Sequence, residues 1–168
     1  MSLIINAVVG GVDSNSYGTV TEADAYFEGR FVNETSPTVQ TGWYLFTEEQ
    51  KVARLIQAVR IMERMRFVGI ISDYEQSLQW PRIIPIINGK RYEYDIIPES
   101  IKNAQFEIAY KVYDSTGSIQ SESTKIKAET LGRWSIAYTE VGIANFPSQE
   151  ALLYLTPFID DQVGLLRE

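Results

Sequence analysis

The chain has 168 residues, 45% hydrophobic and 22% charged, the composition of one compact domain with no stretch apolar enough to span a membrane. Cysteine and histidine are both absent, which removes thiolate nucleophiles, disulfides, the common zinc sites and every histidine-based triad. With 15 basic and 22 acidic residues and a formal net charge of -7, such a molecule attracts a phosphate backbone only where positive charge is segregated on one face.

The start, MSLIINAVVGG, lacks the basic n-region and the long apolar run of a signal peptide, so an intracellular protein is expected. Residues 1 to 20 read as loop, punctuated by Gly10-Gly11 and Asn15-Ser16. Thr21-Glu22-Ala23-Asp24 reads as a helix N-terminus, with Ala23, Tyr26, Phe27 and Phe31 as its buried stripe. After a loop over 32 to 45, Thr47-Glu48-Glu49-Gln50 forms a capping box for a helix of about twenty residues. Its core face is Val52, Leu55, Ile56, Val59 and Met62, and Gly69 is expected to end it.

Pro81 and Pro85 exclude a helix over 70 to 97, and Asn88-Gly89 favours a type I′ turn. A hairpin pairing 83–87 with 91–96 is expected there. The third helix opens at Pro98 and runs to about Asp114 with two apolar stripes: Ile101, Ala104, Ile108 and Val112 on one side, and Phe106, Tyr110 and Tyr113 nearly opposite. A helix buried on both sides is either central in its own domain or packed against another subunit. Lys125 to Glu129 and Trp134 to Thr139 alternate as a second hairpin. Ser148 caps a short helix through Leu155, Thr156-Pro157 breaks it, and the tail carries Phe158, Ile159, Val163, Leu165 and Leu166. The expected fold is mainly α, or α+β by strict counting: three to four helices, two short hairpins and an extended C-terminal arm, divided as 1–144 and 145–168.

No catalytic residue, metal ligand or cofactor site is expected. The carboxylate pairs Glu22/Asp24 and Glu48/Glu49 sit where helix dipoles favour anions, and Asp160/Asp161 lies in the tail. No GxxxxGK[ST] or GxGxxG segment supports nucleotide binding. Local positive charge gathers on the second helix at Lys51, Arg54, Arg60, Arg64 and Arg66. This is a solvated face or, through Arg60 and Arg64, a surface for an acidic neighbour or for nucleic acid.

Asn15-Ser16-Tyr17-Gly18-Thr19-Val20-Thr21-Glu22-Ala23-Asp24-Ala25-Tyr26-Phe27, Leu55-Ile56-Gln57-Ala58, Gln76-Ser77-Leu78-Gln79-Trp80-Pro81-Arg82 and Ile97 to Ala109 together resemble a tailed-phage family labelled DnaT-like single-stranded DNA-binding protein. The stretch Glu129-x-x-Gly132-x-x-Ser135-x-x-Tyr138 resembles a hairpin of phage head-tail connector adaptors. The adaptor resemblance implies a non-enzymatic virion protein at the head-tail junction, assembled in the host cytoplasm. It would form a ring, a dodecamer matching the portal, between the portal protein and a stopper, terminator or tail component. DNA would pass through without sequence-specific binding, and no membrane would be involved. Under it, Phe106, Tyr110 and Tyr113 pack between subunits or between helices of one subunit. Phe158, Ile159, Val163, Leu165 and Leu166 then either dock on the portal or fold back on the bundle. The family label implies instead a replication protein that binds single strands. The acidic balance and the helical spacing of the aromatics favour the adaptor.

Overall fold

The computed structural model describes residues 3–31, 42–112 and 146–160. Its first helix, α1, spans Val20–Phe31. The cap lies two residues earlier than the sequence reading placed it: the Thr19 hydroxyl accepts the Glu22 amide at 3.2 Å, and the Glu22 carboxylate accepts the Thr19 amide at 2.7 Å. The helix therefore begins before Thr21. The second helix, α2, spans Glu48–Met62 and carries the expected box, Thr47 with Gln50. All five residues of its expected core face are buried.

α2 ends at Met62, well before Gly69, its last carbonyls accepting the amides of Glu63, Arg64 and Met65 in the turn that follows. The Gln79 side-chain amide donates to the carbonyls of Glu63 and Met65 at 2.8 and 2.9 Å, satisfying acceptors that a helix end leaves orphaned. Gly69 serves another purpose: at φ +77° it opens β1, Ile70–Ile71, which pairs antiparallel with β2, Arg82–Ile83. The expected strand pairing across Asn88-Gly89 reduces to the turn itself, with both residues at positive φ and a single bridge between Ile87 and Lys90. The hairpin expected over 125–139 lies outside the described residues.

The third helix, α3 (Glu99–Lys111), is the central one. Ile101, Ala104, Phe106, Ile108, Ala109 and Val112 are all buried in the chain's own core, on both expected stripes. Its neighbours are α1, α2 and the last helix, α4 (Gln149–Leu155). Each fully buried aliphatic or aromatic side chain is worth ~1.5–3 kcal/mol over exposure, and α3 contributes Ile101, Phe106 and Ile108 to a core shared with α2. Phe106 packs against Tyr26 with ring centroids 5.7 Å apart, and Tyr110 against Phe27 at 5.5 Å. Both are contacts within one subunit; Tyr113 lies outside the described residues.

Residues 146–160 are part of the same core rather than an extended arm. Ser148 caps α4 by accepting the Ala151 amide, as expected. Phe146, Ala151, Leu152, Leu155 and Phe158 are buried, and Phe158 meets Trp80 and Tyr92 edge to face. Thr156-Pro157 ends α4 at Leu155, as expected, and forms a 3-10 turn, Thr156–Phe158, in which Phe158 is buried. Ile159 bridges Phe67. Val163, Leu165 and Leu166 lie outside the described residues. No helix among the described residues is long and apolar enough to cross a membrane.

Candidate nucleic-acid interface

Two buried polar side chains, Gln105 and Arg82, and the half-buried Glu63 fix the loops around the C-terminal half of α2. Gln105, fully buried on α3, accepts the amides of Tyr17 and Gly18 at 3.1 and 3.0 Å and donates to Ser16 Oγ and the Leu55 carbonyl. The N-terminal loop is thereby laid against α2 and α3. Gly18 permits this approach, since a Cβ there would sit 2.7 Å from the Phe106 ring. Arg82 donates to the carbonyls of Phe67, Val68 and Gly69, tying the segment after α2 to the segment bearing Gln79. The third, Glu63, accepts the Tyr17 hydroxyl and the Gln79 amide.

These constraints build a groove of about 450 Å³ walled by Ser14 and Asn15 on one side, Leu78 on the other, and Ile56, Val59, Arg60, Glu63 and Arg64 of the α2 segment. Arg60 and Arg64 are exposed and form no ion pair among the described residues. Arg60 lies in the last turn of α2 and Arg64 two residues beyond its end. Arg66, also exposed, follows. The groove's one carboxylate, Glu63, is held by Tyr17 and Gln79, so the rim carries net positive charge on an acidic molecule.

The other cations on α2 have structural partners. Lys51 pairs with Asp24 at 2.7 Å, beside the Trp43 indole that donates to the same carboxylate. Arg54 donates to the Ala109 and Tyr110 carbonyls near the end of α3 and lies over the Phe46 ring. A larger cleft of about 940 Å³ lies between α1, α3 and the 90–99 segment. There Lys90, Arg91 and Lys102 are balanced by Glu22, Glu93 and Glu99, and Lys102 is already bound to Glu22 at 2.6 Å. A phosphate gains less from this balanced cleft than from the Arg60/Arg64 groove. No cluster of metal-ligating side chains occurs among the described residues.

Burial raises the Glu63 carboxyl above the ordinary value of 4.5, outweighing the Tyr17 and Gln79 hydrogen bonds and the Arg82 charge, which lower it. Burial, followed by the Glu63 charge, pushes the Tyr17 phenol well up. A carboxyl raised on folding stabilises the fold in its protonated form. That contribution is full below pH 4.5 and is lost as pH rises through the folded value. Glu22 runs the other way: burial raises it, but Lys102 and Thr19 more than offset this and leave it lowered. Glu63→Gln keeps an acceptor for Tyr17 and Gln79 and removes the titration. Urea unfolding between pH 4 and 7.5 should show the variant gaining stability relative to wild type as pH rises, and a constant difference would refute the assignment.

Arg60 and Arg64 were visible in the sequence as cations; the walls at Ser14, Asn15 and Leu78 were not, since loops separated by over sixty residues supply them. The groove is made by folding, not by any one segment.

The described residues form a mainly α domain with a basic groove beside the end of α2. The chain belongs to the family described as "Putative DnaT-like ssDNA binding protein", whose model matches residues 1–161. No curated protein and no solved structure gave a significant match. The family match carries the DnaT-like part of the resemblance and says nothing of a head-tail connector.

Proposed function

We propose that this protein binds single-stranded DNA without sequence preference, holding the phosphate backbone along the Arg60/Arg64 groove. The observation that carries this reading is the segregation of two exposed arginines, unpaired among the described residues, on a rim whose carboxylate is internally engaged. The family description is its second support. Contact with two phosphates gives a salt slope of about -1.4 for single strands. In fluorescence anisotropy with labelled oligo(dT), Arg60→Glu/Arg64→Glu should weaken binding about tenfold or more at low salt and flatten the slope. Unchanged affinity would remove the groove from the reading, and no binding by wild type at low salt would remove the reading itself.

One observation favours a second reading, the head-tail connector. Ile70, Ile71, Ile83 and Ile86 are exposed, with Tyr94 beside β1 through the Ser72 hydroxyl on its carbonyl, and a surface apolar cluster of this kind suits protein contacts. Native mass spectrometry separates the two: a closed ring dispersed by Ile70→Asp/Ile83→Asp supports the connector, whereas a monomer that binds oligo(dT) supports the single-strand binder.

A further inference from the structure

The described chain ends beside the same groove. The Val68 amide donates to the Phe158 carbonyl and the Asp160 amide to the Arg66 carbonyl, each at 2.9 Å, with Phe67 opposite Ile159 in an antiparallel bridge. The last described residue, Asp160, is thus held at Arg66, two residues from Arg64, which lines the groove.

We propose that residues 161–168 of this same chain occupy the groove and compete with DNA for Arg60 and Arg64. This regulation rests on the reading of the groove as the DNA site. Three features carry it. The first is the point of attachment, with Asp160 held at Arg66 beside the groove. The second is length: eight extended residues reach about 26 Å, while α2 from Met62 back to Ile56 rises about 9 Å. The third is complementarity. The segment begins with Asp161, suited to Arg64, and continues with Val163, Leu165 and Leu166, suited to the apolar walls at Ile56, Val59 and Leu78. A carboxylate on an arginine and apolar side chains on apolar walls hold the tail, and a DNA strand must displace both.

The test uses the full chain carrying Asp161→Lys, Leu165→Asp and Leu166→Asp, which leaves the net charge unchanged. Its oligo(dT) affinity at low salt should be about fivefold or more above wild type; equal affinity overturns the competition. Independently of DNA, a fluorescein-labelled peptide of residues 159–168 should bind this variant, and adding Arg60→Glu/Arg64→Glu should weaken that capture at least fivefold. Absence of peptide capture overturns the occupancy. If neither protein binds oligo(dT), the proposed function fails while the peptide still decides whether the tail fits the groove. Concentration-dependent association of wild type, abolished by the tail substitutions, would assign the tail to a neighbouring copy and overturn the intrachain seating.

Discussion

Gln105→Leu is expected to cost about 3–5 kcal/mol in urea unfolding at neutral pH, although it conserves volume and adds apolar surface to a fully buried site. The side chain ends four polar valences: it accepts two backbone amides, Tyr17 and Gly18, and donates to Ser16 Oγ and the Leu55 carbonyl. Leucine leaves those amides facing apolar atoms, and a buried unpaired backbone donor costs ~1–3 kcal/mol. The gain from a more apolar side chain is smaller than two such penalties. Gln105→Glu retains the acceptor for both amides but loses the two donors and buries a charge, so it too should destabilise at neutral pH. A loss below about 1 kcal/mol for the leucine variant would mean that this side chain does not hold the N-terminal loop. The loop supplies Ser14 and Asn15 to the groove, so oligo(dT) affinity should fall in step with the loop's detachment even where the helices remain folded.

Helices were the legible part of this sequence because their signals are local. The Thr47/Gln50 box, the α2 stripe and the Ser148 cap all lie within one or two turns of chain, and each stands where the sequence placed it. The errors came where a distant side chain changes a local outcome. Gln79 holds the turn that follows Met62, where α2 ends ahead of the glycine that the local pattern pointed to. Trp80 and Tyr92 provide a seat for Phe158, which turned a segment readable as an arm into core. At α1 the mistake was itself local: Thr19 and Thr21 both precede acids, and only Thr19 has Glu22 at the box spacing.

The residues that carried the family resemblance also turn out to be scaffold. Gly18, Gln79, Arg82 and Gln105 each close a contact between segments far apart in sequence. They identify the fold without being the groove's charged rim. Arg60, on the exposed face of α2, and Arg64, just beyond its end, lie outside the segments that carry the resemblance, where a cation by itself reads as solvated surface. What distinguishes them is the engagement of Glu63 by Tyr17 and Gln79, a fact of tertiary structure.

The second large effect is expected at Gly69. Its φ of +77° lies in the left-handed region, where a Cβ costs ~1–2 kcal/mol from its own backbone. Space is a separate obstacle: a Cβ here would stand 2.1 Å from the Ile83 carbonyl oxygen and 3.0 Å from Ile84 Cα. Both are backbone atoms of the strand that pairs with β1, so no side-chain rotation relieves the overlap. The two strands must separate, which adds the ~1–3 kcal/mol typical of overpacking. Gly69→Ala should therefore lose about 2–5 kcal/mol. Gly89→Ala supplies the comparison: its φ is also +77°, but nothing lies within 4 Å of the added carbon, so it should lose only the conformational part, ~1–2 kcal/mol. Equal losses in the two variants would show that the β1–β2 pairing yields freely. A larger loss at Gly69 ties the pairing to the Arg82 fork, which holds the carbonyls of Phe67, Val68 and Gly69 from the opposite strand. The same fork positions Arg66 and Phe67, the residues against which the end of the chain is laid. Loosening the hairpin should then release the C-terminal segment as well, and hydrogen exchange at the Val68 and Asp160 amides should accelerate together in Gly69→Ala and in neither case for Gly89→Ala.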